Sequence, residues 1–333
     1  MPIYSACTIN KHLIEKLMKM GFDLLSSEIT SYILVEGSLK GHVHHGIERI
    51  FQIIEGVNNN TISPNSKPIT KIDEPVFAIM NAEYLLGQPV GYNAMQLAIQ
   101  KADNSGIGMV GVLNSSHLGI LSSYSEIASK KNMIGICMSS TSPAVIAPGG
   151  NVALLGTNPL SFSLPLKNKL LTVDLATSAL TRGEVLDALD KNTTIKDGCA
   201  VNSNGEFTND PREVINGGGI LPFDLGIKGF FINLLISILT GPLIGGVTNE
   251  LVAGTRYMNS PSNKGDIFVA ININKLSNIE EFSTNVSKFW GKLLNSSNVL
   301  RNPKTCMDFP IESWNEFMLN VTEKFETDII MSI

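Results

Sequence analysis

Four of the five histidines in this 333-residue chain fall in two short motifs. One is Gly41-His42-Val43-His44-His45-Gly46, followed by Arg49; the other is Asn114-Ser115-Ser116-His117-Leu118-Gly119. Imidazole gives and takes a proton near neutral pH. If Gly46 opens a helix, His45 and Arg49 are four residues apart and share a face. An imidazolium there can protonate a carbonyl oxygen while the guanidinium grips an adjacent carboxylate in a bidentate pair. The bland alternative is a loop with surface histidines and a structural arginine. His117 precedes a glycine at a strand-to-helix turn, a place where α/β folds expose side chains and backbone N–H groups to ligands. A helix cap is the rival reading.

Three weaker signals follow. Gly156-Thr157-Asn158-Pro159 offers a hydroxyl, an amide and free backbone donors, although alone it is a turn signal. Asp174 ends the strand-like run from Leu170 and precedes Ala176-Thr177-Ser178. A carboxylate there can orient a histidine and raise its pKa, or cap the next helix. Lys228 stands before an apolar stretch, where it can anchor a phosphate or mark a helix entry.

The elements that must position these groups show in the periodicity. Thr8 to Met20 has helical spacing. Ser26 or Ser27 is placed to cap a second helix reaching about Lys40, and Gly46 to Val57 resumes the pattern. Residues 58–76 are rich in Asn, Pro, Ser and Lys and predict a loop. From there α/β alternation is expected: strands at 76–79, 107–113 and 134–138, with helices at 92–103 and 118–131. Strands at 160–164 and 170–174, a helix at 182–189, a loop over 191–225, a helix from Lys228 and a strand at 266–273 come next. Helices at 278–294 and 313–326 close the prediction. Gly106-Ile107-Gly108-Met109-Val110-Gly111 spells a dinucleotide motif, but its apolar residues are themselves a strand and a helix precedes it. The context for pyrophosphate binding therefore fails.

With 43% hydrophobic and 17% charged residues the chain is globular. A net charge of -5 without a basic run argues against nucleic acid. Cys7, Cys137, Cys199 and Cys306 show no metal-ligand spacing, so no metal is expected, and reduced thiols in a cytoplasmic protein are the simplest reading. Met1 to Lys16 lacks the pattern of a secretory signal. The stretch Gly229–Val247 is the membrane candidate; its apolar run is roughly half the ~20 residues a bilayer needs, and Gly241-Pro242 breaks it. A helix buried in the protein is expected instead.

Together the motifs resemble, across nearly the whole chain, the second, non-Rossmann malate/L-lactate dehydrogenase family. That family includes ureidoglycolate, sulfolactate, diketogulonate and piperideine-carboxylate oxidoreductases. Its Gly-x-x-Ser-His-Gly-x-x-Arg pattern matches residues 41–49, with His44 in place of Ser. His117-Leu118-Gly119 and Ser142-Pro143 resemble two of its turns. Gly156-Thr157-Asn158-Pro159 and Asp174-Leu175-Ala176-Thr177-Ser178 are unchanged, and Lys228-Gly229 precedes the apolar helix. The resemblance implies a large mixed sheet with flanking helices and an NAD(P)-dependent hydride transfer at C2 of a small 2-keto (2-hydroxy) acid. A 2-imino acid reductase, or a non-enzymatic nucleotide-binding dimer, is the alternative. It implies His45 as general acid/base, Asp174 supporting its charged form, Arg49 on the substrate carboxylate, and His117 shared between catalysis and coenzyme. NAD or NADP is expected along Ser140, Thr157, Asn158, Pro159, Ala176, Thr177, Ser178 and Lys228, with His44 in the substrate pocket. A homodimer without membrane or nucleic-acid partners is implied. Residues 1–74 with 275–333 are expected to form a mainly helical substrate and dimer region, and 75–274 the α/β coenzyme and catalytic region. The chain departs from the family at His44, at Glu184 where Gly-Lys is usual, and at Phe223–Ile227.

Overall fold

Seven strands form the central sheet of the computed structural model, which describes residues 3–297 and 318–320. They are β1 (Ile69–Asp73), β2 (Phe77–Asn81), β3 (Ile107–Leu113), β4 (Met133–Ser139), β5 (Leu160–Pro165), β6 (Leu170–Leu175) and β7 (Gly265–Asn272). Their spatial order is β1-β2-β3-β7-β4-β5-β6. β2 and β3 run parallel, and every other neighbouring pair in this sheet is antiparallel. The sheet is thus mixed, as the resemblance implies. β7 arrives from far along the chain and inserts between β3 and β4. A smaller four-stranded sheet joins 145–146, 153–155, 200–201 and 219–220.

Small residues let the helices lie close to the strands. α4 (Gly87–Ser105) presents Ala94, Ala98 and Ala102 to Val110 and Phe268 in one fully buried core. A Cβ on Gly108 of β3 would stand 2.0 Å from the Ala98 carbonyl oxygen. The middle glycine of the false dinucleotide motif therefore serves helix–sheet packing. α5 (Ser122–Ser129) approaches β4 at Gly135 in the same way, where a Cβ would come 2.2 Å from the Ser125 carbonyl. A second core gathers α1 (Ala6–Lys19), α2 (Leu24–Leu39) and α3 (Arg49–Asn58) around Leu13, Leu17, Leu34, Ile47 and Ile50. Asp23, not Ser26 or Ser27, caps α2, accepting from the Ser26 N–H at 2.9 Å. The carboxylate wins because it is the better acceptor at a helix N-terminus. At the other end of α2, Lys40 is buried between Glu36 at 2.9 Å and Glu126 of α5 at 2.8 Å.

β1 forms inside the segment expected to be loop. Its five residues are all exposed and pair along one edge of the sheet, which leaves no hydrophobic pattern to read. α6 (Arg182–Asp190), α7 (Ile227–Thr240) and α8 (Ile279–Ser296) follow the predicted placements. The helix expected at 313–326 lies outside the described residues except for Met318–Asn320, a short strand paired with Ile3–Ser5.

The expectation that the apolar helix is buried is corrected. α7 turns a polar and small face inward, with Asn233, Ser237 and Thr240 at 0%, 5% and 0% exposure. Phe231, Leu235 and Ile238 point outward at 57%, 55% and 47%. The inward face is polar because Asn233 closes a network. Asn158 Nδ2 donates to Asn233 Oδ1 at 2.7 Å and Asn249 Oδ1 at 2.6 Å, and Asn233 Nδ2 donates to the Gly156 carbonyl at 2.8 Å. Each buried amide is matched, which is what allows it to be buried. The apolar stretch 227–244 has a mean hydropathy of 1.8. The helix itself is 14 residues, roughly 21 Å against a bilayer core of ~30 Å.

Candidate active site

The first histidine motif begins where α2 ends. Gly41 takes φ +80°, a left-handed turn that glycine adopts without strain. The His42 N–H then donates to the Gly37 carbonyl at 2.9 Å, and Val43–His45 make one 3₁₀ turn. The loop lies backbone to backbone on α2. A Cβ on Gly37 would meet the His45 carbonyl oxygen at 2.8 Å, and one on Gly46 would meet Ser38 Oγ at 2.1 Å. Arg49 opens α3, so His45 and Arg49 are not on one helix as the spacing suggested, yet both line one cavity.

His117 comes from the far end of β3. Gly87, the first residue of α4, packs against it so closely that a Cβ would stand 2.5 Å from the His117 carbonyl oxygen. The Gly119 N–H donates to His117 Nδ1 at 2.9 Å. Nδ1 is therefore an acceptor, and the proton of the neutral ring sits on Nε2. The His45 and His117 rings stack with centroids 5.1 Å apart and planes at 28°. His45 Nδ1 and His42 Nε2 have no hydrogen-bond partner among the described residues.

These groups wall a cavity of about 330 Å³, within the usual range for ligand sites. Arg49 spends Nε on the His44 carbonyl and Nη1 on Gln52 Oε1, both at 2.6 Å. Gln52 in turn donates to the carbonyls of Thr255 and Arg256 at 3.1 and 2.9 Å, which brings a second guanidinium to the cavity. Lys264 lies beneath, bound to Ser115 Oγ at 2.8 Å and paired with Asp266. Asp266 also accepts from Ser115 and Ser139 at 2.7 and 2.6 Å.

Desolvation pushes the His45 imidazole well below its usual value, and Arg49 and His42 push it further. His117 is pushed down the same way, by desolvation and then by Arg49 and His45. Arg49 falls to about 9, through desolvation and the charge of Arg256. Both rings are therefore neutral at pH 7 until an anion offsets the arginines.

The expectation that Asp174 supports His45 is corrected. Asp174 sits at the end of β6 and accepts the Ser122 N–H at 2.7 Å, capping α5. Its charge bears on His42, where it opposes the downward push of desolvation. Desolvation raises Asp174 itself, and the Ser122 N–H and His42 hold it back. His44 reaches the cavity, but its Nε2 is 3.0 Å from Asp187 of α6. Its ring lies on Gly183, where a Cβ would strike His44 Cδ2 at 2.5 Å. His44 thereby ties the histidine loop to α6. Glu184 is the N3 residue of a capping box with Thr181 and is turned to solvent.

Thr157, Pro159 and Ala176 line the cavity; Ser140, Asn158, Thr177, Ser178 and Lys228 do not. Ser140 clasps Gly265, with Oγ accepting from its N–H at 3.0 Å. Thr177 Oγ1 donates to the Asn158 carbonyl at 2.9 Å and Ser178 Oγ to the Leu180 carbonyl at 2.6 Å. Lys228 is exposed in the first turn of α7. Arg182, Arg256, Lys264 and His42 were not singled out as site residues from the sequence, because the two arginines and the lysine sit in no local motif and His42 was eclipsed by His45.

The donor set fits a nicotinamide ring. Leu118, Ile120, Pro159, Leu175 and Ala176 make an apolar wall, and Ser139, Thr141 and Thr157 fringe it with hydroxyls. A flat heteroaromatic ring with one carboxamide needs that combination.

A family model described as malate/L-lactate dehydrogenase matches residues 5–306. The chain is 41% identical over 277 residues to the malate/(S)-sulfolactate dehydrogenase of Methanothermus fervidus, covering 83% of this chain and 81% of that protein. It is 31% identical to the NAD(+) ureidoglycolate dehydrogenase of Escherichia coli O157:H7, covering 84% and 80%. The solved sulfolactate dehydrogenase of Methanocaldococcus jannaschii superposes with a TM-score of 0.83 at 36% identity, over 89% of this chain and 85% of that one.

Proposed function

The chain belongs to the malate/L-lactate dehydrogenase family, and from that premise we propose how its cavity divides the work of an oxidoreductase. The reaction is transfer of a hydride between a nicotinamide dinucleotide and C2 of a small 2-keto or 2-hydroxy acid. When bound, the coenzyme, NAD or NADP, supplies or accepts that hydride. The apolar wall of Leu118, Pro159, Leu175 and Ala176, with Thr157, would hold its ring.

Arg49 takes the carboxylate next to the carbonyl. Its Nη2 carries no hydrogen bond to the protein among those described, and its Nε and Nη1 bonds fix the plane of the fork. His117 donates from Nε2 to the carbonyl oxygen as a neutral ring. His45 delivers the proton. The arriving carboxylate offsets the charge on Arg49, the second largest cause of the depression at His45. The ring then gains a proton as substrate binds, so acid strength appears where and when it is used. Asp174 and His42 line the same cavity, and the Asp174 charge favours a proton on His42. In the oxidative direction His45 is a neutral base from the start.

The stacked His45–His117 pair beside Arg49 carries this reading. The test is loss of nicotinamide absorbance when the protein is mixed with NADH or NADPH and pyruvate or oxaloacetate. Absence of turnover with every pairing would sink it. A cytoplasmic homodimer is part of the proposal. The outward apolar face of α7 supports the dimer, since a soluble chain rarely leaves Phe231, Leu235 and Ile238 to water. The free thiols of Cys7, Cys137 and Cys199 support the reducing compartment.

A further inference from the structure

Three guanidinium groups share this cavity, and the 2-keto acid reading uses one. Arg49, Arg256 and Arg182 line it together. They are held in a row by one chain of contacts. Gln52 links Arg49 to the Thr255 and Arg256 carbonyls. Thr255 Oγ1 meets Ser142 Oγ at 2.6 Å, and Arg182 Nη1 donates to the Pro143 carbonyl at 2.9 Å. The Ser142-Pro143 turn is thus the bracket that sets Arg182 against Arg256. Arg182 Nε is buried and has no partner among the described residues.

The charges are out of balance. Among the described residues lining the cavity, Asp174 is the one carboxylate, and it is engaged by Ser122 and faces His42. Lys264 is answered by Asp266 beneath it. Desolvation lowers Arg256; Tyr257, and more weakly the Asp190 carboxylate, offset part of that, and Arg182 lowers it further. One carboxylate on Arg49 would leave two like charges facing each other in the half-buried wall of the cavity, an arrangement that a second anion relieves. That anion belongs close to the reacting centre, because the charge of Arg256 is felt at His45, His117 and Arg49 alike.

We propose that Arg182 and Arg256 form a second anion subsite, which holds a carboxylate or sulfonate at the far end of a doubly charged 2-keto acid while Arg49 holds the carboxylate beside the carbonyl. The inference rests on the 2-keto acid reading and deepens it. The two residues discriminate by charge: a substrate ending in a methyl group brings no anion for either guanidinium to pair with.

The experiment compares oxaloacetate, doubly charged, with pyruvate and 2-oxobutanoate, singly charged, in the unmodified enzyme and in Arg182→Met and Arg256→Met. The unmodified enzyme should favour oxaloacetate in kcat/KM. Each variant should raise KM for oxaloacetate by about tenfold or more, the loss of a charge-assisted hydrogen bond. Whatever the loss of charge does at His45, the ratio of kcat/KM for oxaloacetate to that for pyruvate should fall by about tenfold in each variant, with the coenzyme KM within about twofold. Should either variant fail to fold, competition in the unmodified enzyme decides: doubly charged tartronate should inhibit more tightly than singly charged glycolate. Equal losses for oxaloacetate and pyruvate, or equal inhibition by the two acids, would overturn the subsite. A rise in coenzyme KM instead would assign the arginines to a coenzyme phosphate and overturn it too. Failure of the unmodified enzyme with all three keto acids would remove the dehydrogenase reading and the subsite with it. Turnover without discrimination removes the subsite alone.

Discussion

Gly37 lies on α2, carries no catalytic group, and should nevertheless be a position where one methyl group slows the reaction. A Cβ there would stand 2.8 Å from the His45 carbonyl oxygen, 3.1 Å from its carbonyl carbon and 3.2 Å from Gly46 Cα. Relaxed contacts lie near ~3.5 Å, so Gly37→Ala must push the histidine loop away by about half an ångström. Backbone cannot swing aside as a long side chain can. A displacement of about 1 Å at a reacting group costs on the order of a hundredfold in rate, and half of that distance predicts roughly tenfold in kcat. Stability should move little, because alanine gains about 0.8–1.0 kcal/mol over glycine within a helix, which offsets the strain. Gly291→Ala is the control. That glycine is inside α8 with nothing within 4 Å of its Cβ direction, so the same helical gain should appear with kcat unchanged. The assay is kcat at saturating coenzyme and keto acid, with melting temperature measured beside it. Gly37→Ala that keeps full kcat and melts higher, as Gly291→Ala should, would refute the claim that the contact positions His45.

Three further expectations follow from the same geometry. His45→Gln should lower kcat by ~10² to 10⁴ with coenzyme KM little changed; survival within about threefold, far below that range, refutes its role as acid. His42, His45 and His117 are all lowered in the folded state, chiefly by desolvation. The stability they contribute is present above about pH 6.5, the unfolded value, and is lost as pH falls below it. Melting temperature should therefore drop just below that pH, and less in His117→Gln; Asp174 and Glu126, raised by desolvation, act in the opposite sense at lower pH. A melting temperature that climbs through the same window contradicts the assignment. Sedimentation should give about twice the chain mass of 36.0 kDa, and Leu235→Glu on the outward face of α7 should bring it to one chain; an unmodified monomer ends the dimer proposal.

The parts legible in the sequence were those written locally. Gly41, Gly46 and Gly119 punctuate the histidine motifs because a turn or a close approach requires them, so the motifs announce their own bends. Alternation marked β3, β4 and β6 within a residue or two. Arg182 and Arg256 were not legible as a pair, because 73 residues separate them and contacts of Ser142, through its N–H and its hydroxyl, with the Thr255 hydroxyl bring them together. The role of Asp174 was misassigned because the sequence shows a carboxylate at a strand end but not which of several imidazoles the fold turns toward it. For α7, hydropathy reported how apolar the helix is and not which side faces inward. Asn233 decided that, and its partners Asn158 and Asn249 come from distant loops.

The position of β7 also governs how the chain assembles itself. Residues 265–272 form the strand that joins β3 to β4, so no other strand can zip these two halves of the sheet together. Until that segment leaves the ribosome, the edges of β3 and β4 remain open, each a row of unpaired backbone donors and acceptors beside apolar side chains. Closing them requires contacts spanning more than 120 residues of sequence, the kind of ordering that slows a folding reaction. The buried Lys264–Asp266 pair stands at the start of the same strand. The floor of the cavity is therefore completed in the same late step as the sheet, and a molecule that has not finished folding has no site to misuse.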